Sequence, residues 1–266
     1  MNAVEKNTLE NITVGKDDYQ NTTRASNVTS LDNSSDRQGV GKEHEIYTQR
    51  FTPEEEAVRQ ASWDVLVSEF FQNYVSPEFD TVVDIGAGDG LFTKRIKAKR
   101  KIAVDLSQHV QELKKDGIEV YQVSADKFTQ HVPVLADVIF MSNFLEHLPD
   151  KSTLIRVLEE CNRGLRKGGS LLILQPNIHY VGNKYWDYID HHIALTEHSL
   201  VEALDVTGFE VVQVIPRFLP YTSKSLTGHL IAKSNMGEQL ARWYLRFPIL
   251  WRIFGAQTFV AATPRR

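Results

Sequence analysis

The chain has 266 residues (30.3 kDa), and 42% of them are hydrophobic, enough for one large globular domain with a buried core. Thirty Lys and Arg stand against 34 Asp and Glu, so the formal charge of −4 supplies no whole-chain positive field, which excludes nucleic acid as the default partner. A single cysteine, Cys161, excludes an internal disulfide and a thiolate metal cluster; no metal site is expected, and with no apolar run of the roughly 20 residues that a bilayer span needs and no signal peptide, the expected location is cytoplasmic.

Residues 1–42 hold one aromatic, Tyr19, among many Asn, Thr and Ser, and are expected to form a disordered tail ahead of a domain over 43–266. Asn-x-Ser/Thr triplets begin there at Asn11, Asn21, Asn27 and Asn33, but glycosylation needs a secretory route that the sequence does not provide. Thr52-Pro-Glu-Glu-Glu reads as a helix start, with a capping hydroxyl, proline in the first turn and acids at the positive end of the dipole; Ala57, Ala61, Val65 and Phe70 or Phe71 supply its apolar side.

From Thr81 strands and helices alternate. Val82–Ile85 is a strand stopped by Gly86, Leu91–Lys99 a helix, Ile102–Val104 a strand, Gln108–Lys115 a helix and Ile118–Val123 a third strand. Ala136–Met141 is a fourth strand, Ser152–Arg166 a helix closed by Lys167-Gly-Gly169, and Ser170–Leu174 a fifth strand. A helix opened by Thr196, a strand over Phe209–Ile215 and a last strand over Thr258–Ala262 follow. This order predicts an α/β fold with a mostly parallel sheet covered by helices on both faces. No fixed-period repeat is visible.

The segment Asp84-Ile-Gly86-Ala-Gly88-Asp-Gly90 is a strand feeding a glycine turn that opens a helix, a place where bare backbone meets a ligand. A dinucleotide G-x-G-x-x-G would need its third glycine at position 91, which is Leu91, and this weakens an NAD-dependent oxidoreductase. The G-x-G-x-G spacing with an acid two residues ahead resembles the cofactor loop of the class I S-adenosylmethionine-dependent methyltransferases. That resemblance implies a Rossmann-like, seven-stranded sheet with an antiparallel last strand, and S-adenosylmethionine as the methyl donor. It places donor contacts on Asp84, Gly86, Ala87, Gly88 and Gly90. Asp105, ending the second strand, would take the ribose hydroxyls, with Leu106 beside it; Asp126, after Ala125, would take the adenine amino group.

Ser142-Asn143-Phe-Leu-Glu146-His147-Leu resembles the family segment that lines the methyl donor, adding Ser142 and Asn143 to the expected contacts. Tyr47 and Arg50 precede the first helix, which in similar enzymes covers the cofactor; Arg50 would meet the donor carboxylate. His147, His191 and His192 are the candidate catalytic bases, with Asp190 able to orient a histidine, while His147 can equally be pocket wall. The insertions 178–195 and 217–257 are the expected acceptor side, with Tyr185, Trp186 and Tyr221 as substrate-binding candidates.

Asp-His-His, Pro216–Tyr221 and the Trp-Arg segment near 251 resemble methyltransferases of bacterial surface-glycan assembly, which implies a small-molecule acceptor, a sugar or lipid-linked saccharide. The aromatic, arginine-bearing stretch 236–254 packs on the domain or rests on a membrane surface. A nucleic-acid acceptor is disfavoured, because Ser-Asn-Phe-Leu replaces an Asn-Pro-Pro-Tyr type element and Cys161 has no preceding proline. A protein acceptor stays open, as does a donor-binding regulator or scaffold without turnover. The oligomeric state is not indicated.

Overall fold

The computed structural model describes residues 52–221 and 237–265. The expected tail over 1–42, Tyr47 and Arg50 lie outside the described residues. The first helix, α1 (Pro53–Glu69), starts as its sequence requires: Thr52 Oγ accepts from Glu55 N–H at 3.2 Å and the Glu55 carboxylate accepts from Thr52 N–H at 2.9 Å. It enters the core only over its last turns, through Val65, Leu66 and Val67; Ala57, expected on the apolar side, is exposed.

Seven strands follow: β1 (Thr81–Ile85), β2 (Arg100–Val104), β3 (Glu119–Tyr121), β4 (Ala136–Ser142), β5 (Leu165–Pro176), β6 (Phe209–Leu219) and β7 (Gln257–Pro264). They form one sheet in the order β3-β2-β1-β4-β5-β7-β6, parallel except that β7 runs antiparallel to both β5 and β6. This is the expected architecture, including its antiparallel last strand.

Alternation along the central strands builds two cores, as the period of two demands. Ile139 and Met141 of β4 face one layer with Val157 and Leu158 of α3 (Lys151–Gly164); Val138 and Phe140 face the other with Val67 of α1 and Phe92 of α2 (Leu91–Arg95). The second layer is aromatic: Phe92 and Phe140 stack with centroids 3.8 Å apart, and Phe70 lies 4.4 Å from Phe218.

Some boundaries differ from the periodic reading. The helix expected to reach Lys99 stops at Arg95, because Ile96 turns extended to bury its side chain and the chain must enter β2 at Arg100. The helix expected over Gln108–Lys115 is a run of 3-10 turns ended by Gly117 at φ +71°. The helix expected to reach Arg166 ends at Gly164, and β5 begins at Leu165, which is fully buried and pairs with Ala136.

Four more α-helices follow among the described residues: α4 (Ile178–Val181) and α5 (Glu197–Val206) after β5, then α6 (Gly237–Arg246) and α7 (Pro248–Phe254) before β7. Arg217 closes the end of α7 by donating to the carbonyls of Gly255 (2.8 Å) and Ile253 (2.9 Å). Since β6 is parallel to β5, the segments after Pro176 and after Leu219 both leave the sheet at its carboxyl edge. Open α/β sheets bind ligands at that edge. No described helix is long and apolar enough to cross a membrane.

Candidate active site

The glycine loop joins β1 to α2. Gly86, Gly88 and Gly90 all take positive φ (+69°, +50° and +71°), where a side chain is strained. Two of the three are also fixed by the protein's own packing: a Cβ on Gly86 would stand 2.4 Å from the Phe144 ring, and one on Gly90 would stand 2.6 Å from Leu113. Gly88 differs, because a Cβ there would meet nothing within 4 Å. The middle of the loop thus offers bare backbone to open space, and a donor of the class implied by the motif fits there. Around it stand Ala87, itself buried, and Asp89, which accepts from Arg59 of α1 at 3.1 Å and so ties that helix to the loop.

Two acids brace the loop. Asp105, just past β2, accepts Gly88 N–H at 2.9 Å with one oxygen and Ser107 N–H at 2.7 Å with the other. Asp84, on β1, is buried and accepts from the Thr93 hydroxyl. Burial, and to a smaller degree the nearby Asp105 charge, pushes the Asp84 carboxyl up to about 7 despite that hydrogen bond. Asp84 is thus held to Thr93 of α2, buried at the base of the loop.

At the neighbouring strand ends Leu106 is half exposed, an apolar surface beside Asp105, and Ala125 is buried. Asp126 accepts from Ser124 at 2.5 Å and from Arg156 at 3.4 Å. Burial raises its carboxyl, but those two donors and Lys127 outweigh it and leave the group below the usual carboxylate range. Ser142 ends β4, and Asn143 follows at φ +47°, the one non-glycine residue with positive φ among those described. Its backbone N–H donates to Leu174 of β5 at 2.8 Å, which holds the bend in place.

Beyond that bend the chain builds a cluster. The backbone N–H groups of His192 and Ile193 donate to the Glu146 carbonyl at 2.8 and 3.2 Å, strapping the insertion after β5 onto the turn after β4. Glu146, His147 and His191 come together as a result: one ligating atom of each lies within 4.8 Å of the others, and the two imidazole centroids are 5.2 Å apart. His147 Nδ1 lies 3.0 Å from the Asp190 carbonyl and 3.3 Å from its carboxylate, and His191 Nδ1 lies 2.9 Å from the Tyr185 carbonyl. Glu146 is buried, and its Oε2 has no hydrogen-bond partner; burial pushes its carboxyl up, with His147 opposing and Asp190 adding to the shift.

His192 is exposed and stands outside the cluster. Tyr185 is buried and its hydroxyl donates to the Ile193 carbonyl, so it builds the strap; burial, then Glu146 and Tyr221, push that phenol up. Trp186 is the exposed ring of the pair. Tyr188 and Tyr221 meet edge to face at 6.0 Å, linking the two insertions. Arg50 lies outside the described residues. Neither Glu146 nor Tyr188 is among the candidates that the sequence singles out; the adjacent Glu-His and Asp-His-His pairs are the signal that points toward them.

A family model described as methyltransferase domain matches residues 56–214. Over 143 residues the chain is 29% identical to alpha N-terminal protein methyltransferase 1 of Caenorhabditis elegans, covering 50% of this chain and only 60% of that protein. Among solved structures, a SAM-dependent methyltransferase from Archaeoglobus fulgidus superposes with a TM-score of 0.53 at 23% identity, over 73% of this chain and 89% of that one. A SAM-dependent methyltransferase from Thermotoga maritima gives a TM-score of 0.56 at 18% identity, over 86% and 100%. These structures share the fold.

Proposed function

Because this chain belongs to the class I S-adenosylmethionine-dependent methyltransferase family, we propose that it methylates a hydroxyl of a small-molecule acceptor, a sugar or lipid-linked saccharide. When bound, S-adenosylmethionine supplies an electrophilic methyl on a sulfonium. The backbone at Gly88 and the acids Asp105 and Asp126 would hold that donor, with Leu106 against its base. Holding the acceptor oxygen in line with the methyl contributes several kcal/mol, up to roughly 7–11 in the best intramolecular cases.

The observation that carries the acceptor reading is the pair His147 and His191 beside buried Glu146, under a strap bearing the exposed Trp186 ring. With Nδ1–H donated to the Asp190 carbonyl, His147 keeps its lone pair on Nε2. That nitrogen would take the hydroxyl proton as the acceptor oxygen receives the methyl, an effect of about 10²–10⁴ in rate. A lipid-linked acceptor is supported by α6 and α7: Leu245 and Trp251 pack on the core, while Trp243, Phe247, Ile249, Ile253 and Phe254 stay exposed alongside Arg246 and Arg252. Such a face suits peripheral contact with a membrane.

The C. elegans relative favours a second reading, with a polypeptide as acceptor. The test incubates the full chain with methyl-labelled donor and separated cell fractions. Label in saccharide or glycolipid supports the first reading, and label confined to polypeptides replaces it with the second. Donor binding with no labelled product in any fraction identifies a donor-binding regulator.

A further inference from the structure

The geometry points to a divalent transition-metal site made by Glu146, His147 and His191. Among the described residues these are the one group of His, Cys, Asp or Glu side chains whose ligating atoms gather in this way, all within 4.8 Å of one another. A bound Zn²⁺ would draw such atoms in to the roughly 2.0–2.2 Å that it requires of nitrogen and carboxylate ligands.

Two independent features support it. Glu146 is only 3% exposed, yet its Oε2 has no partner, and an unpaired buried carboxylate oxygen is costly unless a cation or donor meets it. The tautomer of both imidazoles suits a metal ligand: His147 Nδ1 sits on the Asp190 carbonyl and His191 Nδ1 on the Tyr185 carbonyl, which places the proton of each neutral ring on Nδ1. Backbone carbonyls and carboxylates on the far ring nitrogen are the usual supports of metal-bound histidine, and Asp190 supplies both to His147. Two imidazoles and one carboxylate suit Zn²⁺, Mn²⁺ or Co²⁺ and leave positions open for an oxygen ligand.

The role of the ion rests on the proposed methyl transfer; its binding does not. An acceptor hydroxyl bound in an open position loses its proton to solvent more easily, and coordination then replaces His147 as the activating device. No electron changes hands. The methyl moves from sulfur to oxygen, and the metal keeps its charge.

The test uses full-length protein stripped with a chelator, titrated calorimetrically with Zn²⁺ and followed with Co²⁺ by visible absorption. One equivalent of ion per chain is expected, with binding weakened at least tenfold in Glu146→Gln and in His191→Ala. Absence of saturable binding for Zn²⁺, Mn²⁺ and Co²⁺, or unchanged binding in both variants, overturns the site. Glu146→Gln keeps the shape of the buried side chain; where either variant melts early by circular dichroism, His147→Gln at a part-exposed ring takes its place under the same criteria. S-adenosylhomocysteine is titrated into the same samples. Its binding without metal binding removes the metal site and leaves the methyl-transfer reading standing; metal binding without it does the reverse.

Discussion

The carboxylate of Asp105 accepts the backbone N–H of Gly88 at 2.9 Å, so the acid at the end of β2 braces the bend at the end of β1. The residue expected to meet the donor's ribose also sets the loop that receives the rest of the donor. Asp105→Ala is expected to weaken donor binding by about 1–3 kcal/mol, the range for a charged hydrogen bond. Calorimetry with S-adenosylhomocysteine measures it, and unchanged affinity would move the ribose elsewhere.

Gly88 and Gly90 separate ligand space from packing. Both have positive φ, so alanine at either strains the backbone by about 1–2 kcal/mol. Only at Gly90 does the new methyl also collide with a neighbour, Leu113. Gly88→Val is expected to fold with a modest drop in melting temperature and to lose donor affinity, whereas Gly90→Ala loses more stability. Thermal melts alongside donor titration decide; full affinity in Gly88→Val would place the donor away from this loop.

The buried Asp84 makes stability depend on pH. Its carboxyl titrates near 3.8 when unfolded and is raised to about 7 when folded, so between these values the folded chain holds the extra proton. The associated stability is complete below about 3.8 and is lost as pH rises through about 7, on the order of a few kcal/mol. Asp84→Asn keeps an acceptor for the Thr93 hydroxyl and never ionises. Its melting temperature should fall less between pH 5 and pH 8, roughly the window in which this group titrates; equal slopes would mean that Asp84 ionises freely.

Asn177, fully buried after β5, donates to Glu197 at 2.6 Å, to Thr258 at 2.7 Å and to the Pro216 carbonyl at 3.3 Å, and accepts from His179 N–H at 3.0 Å. One side chain thus pins α4, α5, β6 and β7 together. Asn177→Ala leaves several of these groups short of partners and should cost on the order of 3 kcal/mol by urea unfolding. A loss under 1 kcal/mol would mean water replaces the amide.

The glycine loop was legible in the sequence because its signals are local. Asp84, the three glycines and Asp105 lie at strand ends that hydrophobic runs mark out, and the structure puts Asp105 against Gly88 with no long-range information needed. The cluster was not legible, because it depends on two backbone N–H groups, those of His192 and Ile193, reaching the Glu146 carbonyl. Backbone hydrogen bonds carry no side-chain signature. His191 and His192 read alike in the sequence, yet only His191 joins the cluster while His192 is exposed. Helix ends were blurred where a buried residue overrode periodicity, as Ile96 does after α2 and Leu165 does after α3.

The glycine loop and its bracing Asp105 follow β1 and β2, while both insertions leave from β5 and β6, so they stand on separate halves of one sheet. One contact between them is the Phe144 ring lying against Gly86, between the glycine bend and the turn that carries Glu146. Exchanging the insertion after β5 with that of another chain of this topology would leave β1 to β3 and their loops as they are, whereas the insertion after β6 can be exchanged only together with its packing on the end of α1, where Phe70 meets Trp251 edge to face.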